Sequence, residues 1–229
     1  MPHVDISYSV DADAKNWVRI AKKRDTSFGI SIEKERGFLG VVPGVDWSGP
    51  AEEIQPLVGE WLHKNTKLQG TFTSALSALV KRWSEVEETY FAALEKLTGR
   101  PICSDTFSAQ LTTASLCPYD VRASWFMVDA FADTEHQVTV MAHEIFHLQF
   151  LRYFWDECVR LGLSAEQTDQ LKESLTVLLN EPEFSSVITS PDIGYPAHQK
   201  LRRKLRELWR ECPVFDIFLV NAADVVRNI

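Results

Sequence analysis

Two histidines four residues apart, with a glutamate directly after the first, stand in the run Val140-Met141-Ala142-His143-Glu144-Ile145-Phe146-His147-Leu148-Gln149-Phe150. On a helix, a spacing of four places both imidazoles on one face, about one turn apart. Their nitrogens then take two corners of a tetrahedral zinc site, with bonds of about 2.0–2.1 Å. Glu144 points beside such a site without having to ligate. There a carboxylate accepts a proton from an activated water and passes it to a leaving amine. Apart from the two histidines, Glu144 is the only acid or base between Gln137 and Arg152. A carboxylate in so apolar a run is costly unless something compensates it, and a metal centre does. The blander alternative is a buried helix whose histidines hydrogen-bond to the backbone or to Glu144.

The elements that must position this run read as an α+β chain. Val4, Ile6, Tyr8 and Val10 alternate, a helix-like run passes through Trp17 and Ile20, and Phe28, Ile30 and Ile32 alternate again. Residues 1–50 therefore read as a β-rich N-terminal subregion with one helix, and 51–229 as the core of what is expected to be one compact unit. Helices are predicted over 51–64 and over 72–97, the second through Leu76, Leu79, Val80, Trp83, Val86, Tyr90, Leu94 and Leu97, with Gly99 and Pro101 stopping it. Phe107 to Leu116 and Ala123 to Phe131 look like strands of a hairpin or an adjacent pair, joined by a turn around Pro118, Tyr119 and Asp120. Thr134 with Gln137, and Ser164 with Gln167, are capping-box signatures. They predict an active helix from Glu135 to Leu161 and a second helix over 165–180. A basic helix from His198 to Glu211 and a final apolar helix after Pro213 complete the chain.

The uncharged residues around the motif, Ile145, Phe146, Leu148, Gln149 and Phe150, make this segment similar to the zincin metallopeptidases. Metzincins carry Gly and His where this chain has Phe150 and Tyr153, so the resemblance is to gluzincins, over roughly residues 70–211. It implies a zincin-like fold: a small mixed or antiparallel sheet, the active helix, then a helix bearing a glutamate. It also implies one zinc per chain, held by His143, His147 and that glutamate, and a peptide or protein substrate. Of the downstream candidates, Glu157 lies on the active helix about 15 Å beyond His147, and Glu166 suits the cap of the next helix. Glu173 stands in the segment that looks like the glutamate helix and is the expected third ligand, although on a helical wheel it falls opposite Leu171, Leu175, Leu178 and Leu179. Glu181 is held in reserve. Gluzincins also carry a later His or Tyr that steadies the oxyanion, and either Tyr195 or His198 suits that role. Asp192 orients one of them or simply makes a turn. The strand at Ala123 to Phe131 sits where zincins place the edge strand that pairs with substrate.

The remaining composition narrows the partners. The 229 residues carry 24 Lys+Arg against 32 Asp+Glu, a net charge of −8, which disfavours nucleic acid. The basic cluster Arg202, Arg203, Lys204, Arg206 and Arg210 reads as a solvated helix face. Cys103, Cys117, Cys158 and Cys212 show no CxxC spacing and suit free thiols in a reducing compartment. No leader-like start or long apolar window is present, so a cytoplasmic protein with no membrane partner is expected. Two other readings stay open: a non-catalytic zincin-like binding module with a structural zinc or His pair, and a zinc hydrolase of non-peptide amides.

Overall fold

The computed structural model describes residues 1–22, 42–114 and 116–228. Four strands, β1 (His3–Tyr8), β2 (Thr106–Thr112), β3 (Tyr119–Asp120) and β4 (Trp125–Asp129), form one sheet in the order β1-β2-β4-β3. The first three in that order run parallel, and β3 lies antiparallel to β4. The alternation at Val4, Ile6 and Tyr8 makes a strand whose inner face packs on the core. That strand belongs to the common sheet, paired with β2. The second alternation, at Phe28, Ile30 and Ile32, lies outside the described residues.

The expected strand pair is adjacent, but it is no hairpin. β2 and β4 are parallel, so the chain crosses over between them and makes its tight turn one step later, between β3 and β4. Asp120 closes that turn by accepting the amide of Ala123 (2.9 Å), and Ser124 takes a left-handed φ of 51°. As a result β3, not β4, holds the sheet edge. The reading of Ala123 to Phe131 as the edge strand is corrected accordingly, because Trp125 and Phe126 are flanked on both sides.

Eight α-helices occur among the described residues. Helices α1 (Val10–Lys22) and α2 (Ala51–Lys64) pack through Trp17, Val18, Ile54, Val58 and Leu62 into a small second core. The buried carboxylate of Asp13 joins this pair to the end of β2, accepting from the Thr113 amide (2.9 Å) and from the hydroxyls of Thr112 and Thr113 (2.7 Å each). Helix α3 (Thr66–Thr98) begins six residues before the predicted start, where Asn65 caps it, and it ends at Gly99 with φ 64° as expected. Leu79, Trp83, Val86, Tyr90 and Leu94 form its buried stripe, while Val80 is exposed.

Helix α4 (Thr134–Tyr153) carries the His-Glu-x-x-His run. Its cap is Asp133, which accepts the amide of His136, so the start is one residue earlier than the Thr134 signature suggested. Gln137 instead donates to the carbonyl of Asp129 and ties the helix to the end of β4. Apolar residues surround α4, as in a helix buried on all sides. Its predicted run to Leu161 is interrupted at Phe154, whose ring is buried against Phe215 (centroids 4.7 Å apart). A short α5 (Trp155–Arg160) follows. The capping box at Ser164 and Gln167 opens α6 (Ala165–Leu175), but residues Thr176–Asn180 tighten into a 3-10 turn. The Thr176 hydroxyl lies 3.0 Å from the carbonyl of Glu173, the acceptor that an α-helical Val177 amide would need. Helices α7 (Gln199–Glu211) and α8 (Phe215–Arg227) close the core. Among the described residues, no helix is long and apolar enough to cross a membrane.

Candidate metal centre

Three elements converge on the two histidines. Helix α4 supplies His143, Glu144 and His147, held in depth by Tyr90 of α3, whose buried hydroxyl donates to the carbonyl of Ala142 at 2.6 Å. Helix α6 supplies Glu173, and the segment between the 3-10 turn and α7 supplies Asp192, Tyr195 and His198. Glu173 is 6% exposed, so the helical wheel misplaces it. The wheel assumes one packed face, whereas α6 touches α4, α5, α7 and α8 together.

Two carboxylates, Glu173 and Glu144, come near the histidines. Oε2 of Glu173 lies 3.8 Å from Nε2 of His143 and 3.7 Å from Nε2 of His147. Ligands bonded at about 2.1 Å to a tetrahedral ion stand about 3.4 Å apart, so these atoms are within a few tenths of an ångström of that spacing. His143, Glu144 and His147 also each bring a ligand atom within 4.8 Å of the others. Glu144, however, approaches the opposite nitrogen of His147, with Oε2 3.8 Å from Nδ1. Both ring nitrogens of His147 and Oε2 of Glu144 are buried with no hydrogen-bond partner. Such orphaned atoms are costly in a folded core, and a cation on Nε2 with a water at Glu144 would satisfy two of the three.

Asp192 does more than turn the chain. Its Oδ2 lies 2.6 Å from Nδ1 of His143, which leaves Nε2 of that ring as the free ligand atom. Its Oδ1 receives Arg202 at 2.5 Å and lies 3.0 Å from the Thr176 hydroxyl. Its backbone is clasped by the side-chain amide of Asn180, with bonds of 2.8 and 2.9 Å in both directions. Arg202 is 3% exposed, so it leaves the solvated cluster expected for the basic helix; Arg203, Lys204 and Arg210 remain exposed. Glu181, the reserve ligand, is taken by Arg206 at 2.5 Å and Arg210 at 3.5 Å.

Charge organises the cluster. Burial resists a charge on His143, but Asp192 above all, then Glu173 and Glu144, push its pKa up to about 10. His147 goes the other way: burial, and then the charge on His143, lower its pKa. Asp192 is drawn down to about 2: burial works against this, and His143 and Arg202 overcome it. Glu173 falls below the usual carboxylate range despite its burial, because His147, His143 and Lys172 surround it. A divalent ion bound there would have to displace the proton of His143.

Tyr195 and His198 both face this charge. Burial first, then the carboxylates of Glu173 and Glu144, keep the Tyr195 phenol protonated. His198 is buried rather than on the surface, its pKa is lowered chiefly by burial, and its ring meets that of Tyr195 edge-on at 5.8 Å. The residues that sequence reasoning missed are Lys172, Tyr119, Thr176, Asn180 and Arg202, which read as ordinary helix or turn residues. Gly194 was the one available signal. It adopts φ 59°, and a Cβ there would lie 2.6 Å from Nη1 of Arg202. Gly194→Ala is therefore expected to destabilise the protein by about 1–3 kcal/mol through a strained backbone and a displaced guanidinium; an unchanged urea midpoint would show that the clasp gives way freely. No family model, curated protein or solved structure matches the chain.

Proposed function

We propose that this chain is a zinc-dependent peptidase of minimal gluzincin type, with one ion held by His143, His147 and Glu173. The observation that carries this reading is the position of Glu173 Oε2, nearly equidistant from the two Nε2 atoms. When bound, zinc supplies the charge that polarises a scissile carbonyl and acidifies a water. Glu144, beside His147 and buried, takes the proton of the attacking water and returns it to the leaving amine. Asp192 fixes the ring of His143 through Nδ1. The short edge strand β3 offers backbone groups to an extended substrate.

Tyr195 is the proposed oxyanion donor. Its phenol stays protonated, through burial first and then the carboxylates of Glu173 and Glu144. Tyr195→Phe is expected to lower kcat about 10²–10³-fold with zinc retained, and His198→Gln by less than about tenfold. The reverse order in steady-state assays would move the role to His198.

The direct experiment is metal analysis of the purified chain together with hydrolysis of an unstructured peptide mixture. One zinc per chain, loss of cleavage with a chelator and recovery on adding zinc are expected. One tightly held zinc with no turnover of peptides or of small amides would favour the binding-module reading instead.

A further inference from the structure

Lys172 occupies a place where a lysine is expensive. Its side chain is 2% exposed, and three oxygens lie close to its ammonium. Nζ lies 2.9 Å from Oε1 of Glu173 and 2.8 Å from Oδ1 of Asp169, and it donates to the hydroxyl of Tyr119 at 2.7 Å. It also sits 5.1 Å from the centroid of the Tyr119 ring.

The two oxygens of Glu173 are thereby divided. Oε2 faces both histidines, while Oε1 is taken by the ammonium. A carboxylate free at both oxygens is able to bind a metal through both, which beside two histidines and a water makes five bonds instead of four. The other contact leads to the substrate side. Tyr119 lies on β3, the sheet edge, and its ring is 6.1 Å from that of His147.

Resting on the metal-centre reading above, we propose that Lys172 is a positioning residue that restricts Glu173 to one-oxygen ligation and, through Tyr119, fixes the edge strand beside the metal. A buried cation that merely balanced Asp169 and Glu173 would stabilise the fold without affecting coordination.

Cobalt(II) loaded into the wild type, Lys172→Met and Lys172→Arg separates the two roles. The wild type is expected to show the intense visible bands of a four-coordinate ion. K172M is expected to lose intensity as Glu173 takes a second position, and K172R, which keeps the charge, to retain most of it. Bands in K172M identical to those of the wild type overturn the proposal. If K172M does not fold, X-ray absorption fine structure of the zinc-loaded wild type decides without a variant: four bonded neighbours support one-oxygen ligation, and five overturn it. A wild type that takes up neither metal overturns the metal-centre reading and this proposal together, whereas metal uptake with unaltered K172M bands overturns the role of Lys172 alone.

Discussion

Glu144→Gln is expected to keep one zinc per chain and to lower kcat/KM by roughly 10²–10⁴-fold, the range that a positioned acid–base group contributes. The substitution preserves shape and one acceptor oxygen while removing the capacity to take a proton. Glu144 is not among the three proposed ligands, and its Oε2 approaches the other ring nitrogen of His147, 3.8 Å from Nδ1. Metal retention should therefore be indifferent to the change. Its Oε2 is also buried with no protein hydrogen-bond partner, so the amide breaks no hydrogen bond of that oxygen within the protein. Zinc stoichiometry and peptide turnover measured on the same preparation test both halves. Cleavage at the wild-type rate would remove Glu144 from the chemistry.

The local signals in the chain were legible in the sequence. The His-Glu-x-x-His spacing, the Ser164 and Gln167 capping box, and Gly99 as a helix stop each depend on neighbours within one helical turn, and each appears where expected. Long-range decisions were not. The same residue pattern suits β2 and β4 whether they pair parallel or as a hairpin, so it does not decide between the two. Phe154 shows the same limit: its helical periodicity continues past Tyr153, but burial of its ring against Phe215 interrupts the helix. Charged residues were the hardest to read. Lys172 and Arg202 sit in helical stretches rich in charge, and only their neighbours from other elements, Tyr119 of β3 and Asp192 of the following segment, make them interior residues.

Glu173→Ala is expected to weaken zinc binding on the order of 10²-fold. Apparent zinc affinities of four-ligand sites correspond to about 10–16 kcal/mol, so one ligand accounts for roughly 3 kcal/mol if the share is even. The change also strips Lys172 of its closest carboxylate inside the core and leaves it Asp169 and Tyr119. Breaking a buried pair in this way costs about 3–5 kcal/mol of stability. Glu173→Gln keeps an oxygen near both histidines and a dipole near Lys172, so its losses should be smaller in zinc affinity and in stability. Glu181→Gln is the control: its carboxylate is held by Arg206 and Arg210, and zinc affinity is expected to stay at the wild-type value. Competition against a chelator of known affinity at fixed pH ranks the three. A Glu173→Ala protein that binds zinc as tightly as the wild type would show that the third ligand lies elsewhere, and a loss confined to Glu181→Gln would place it there.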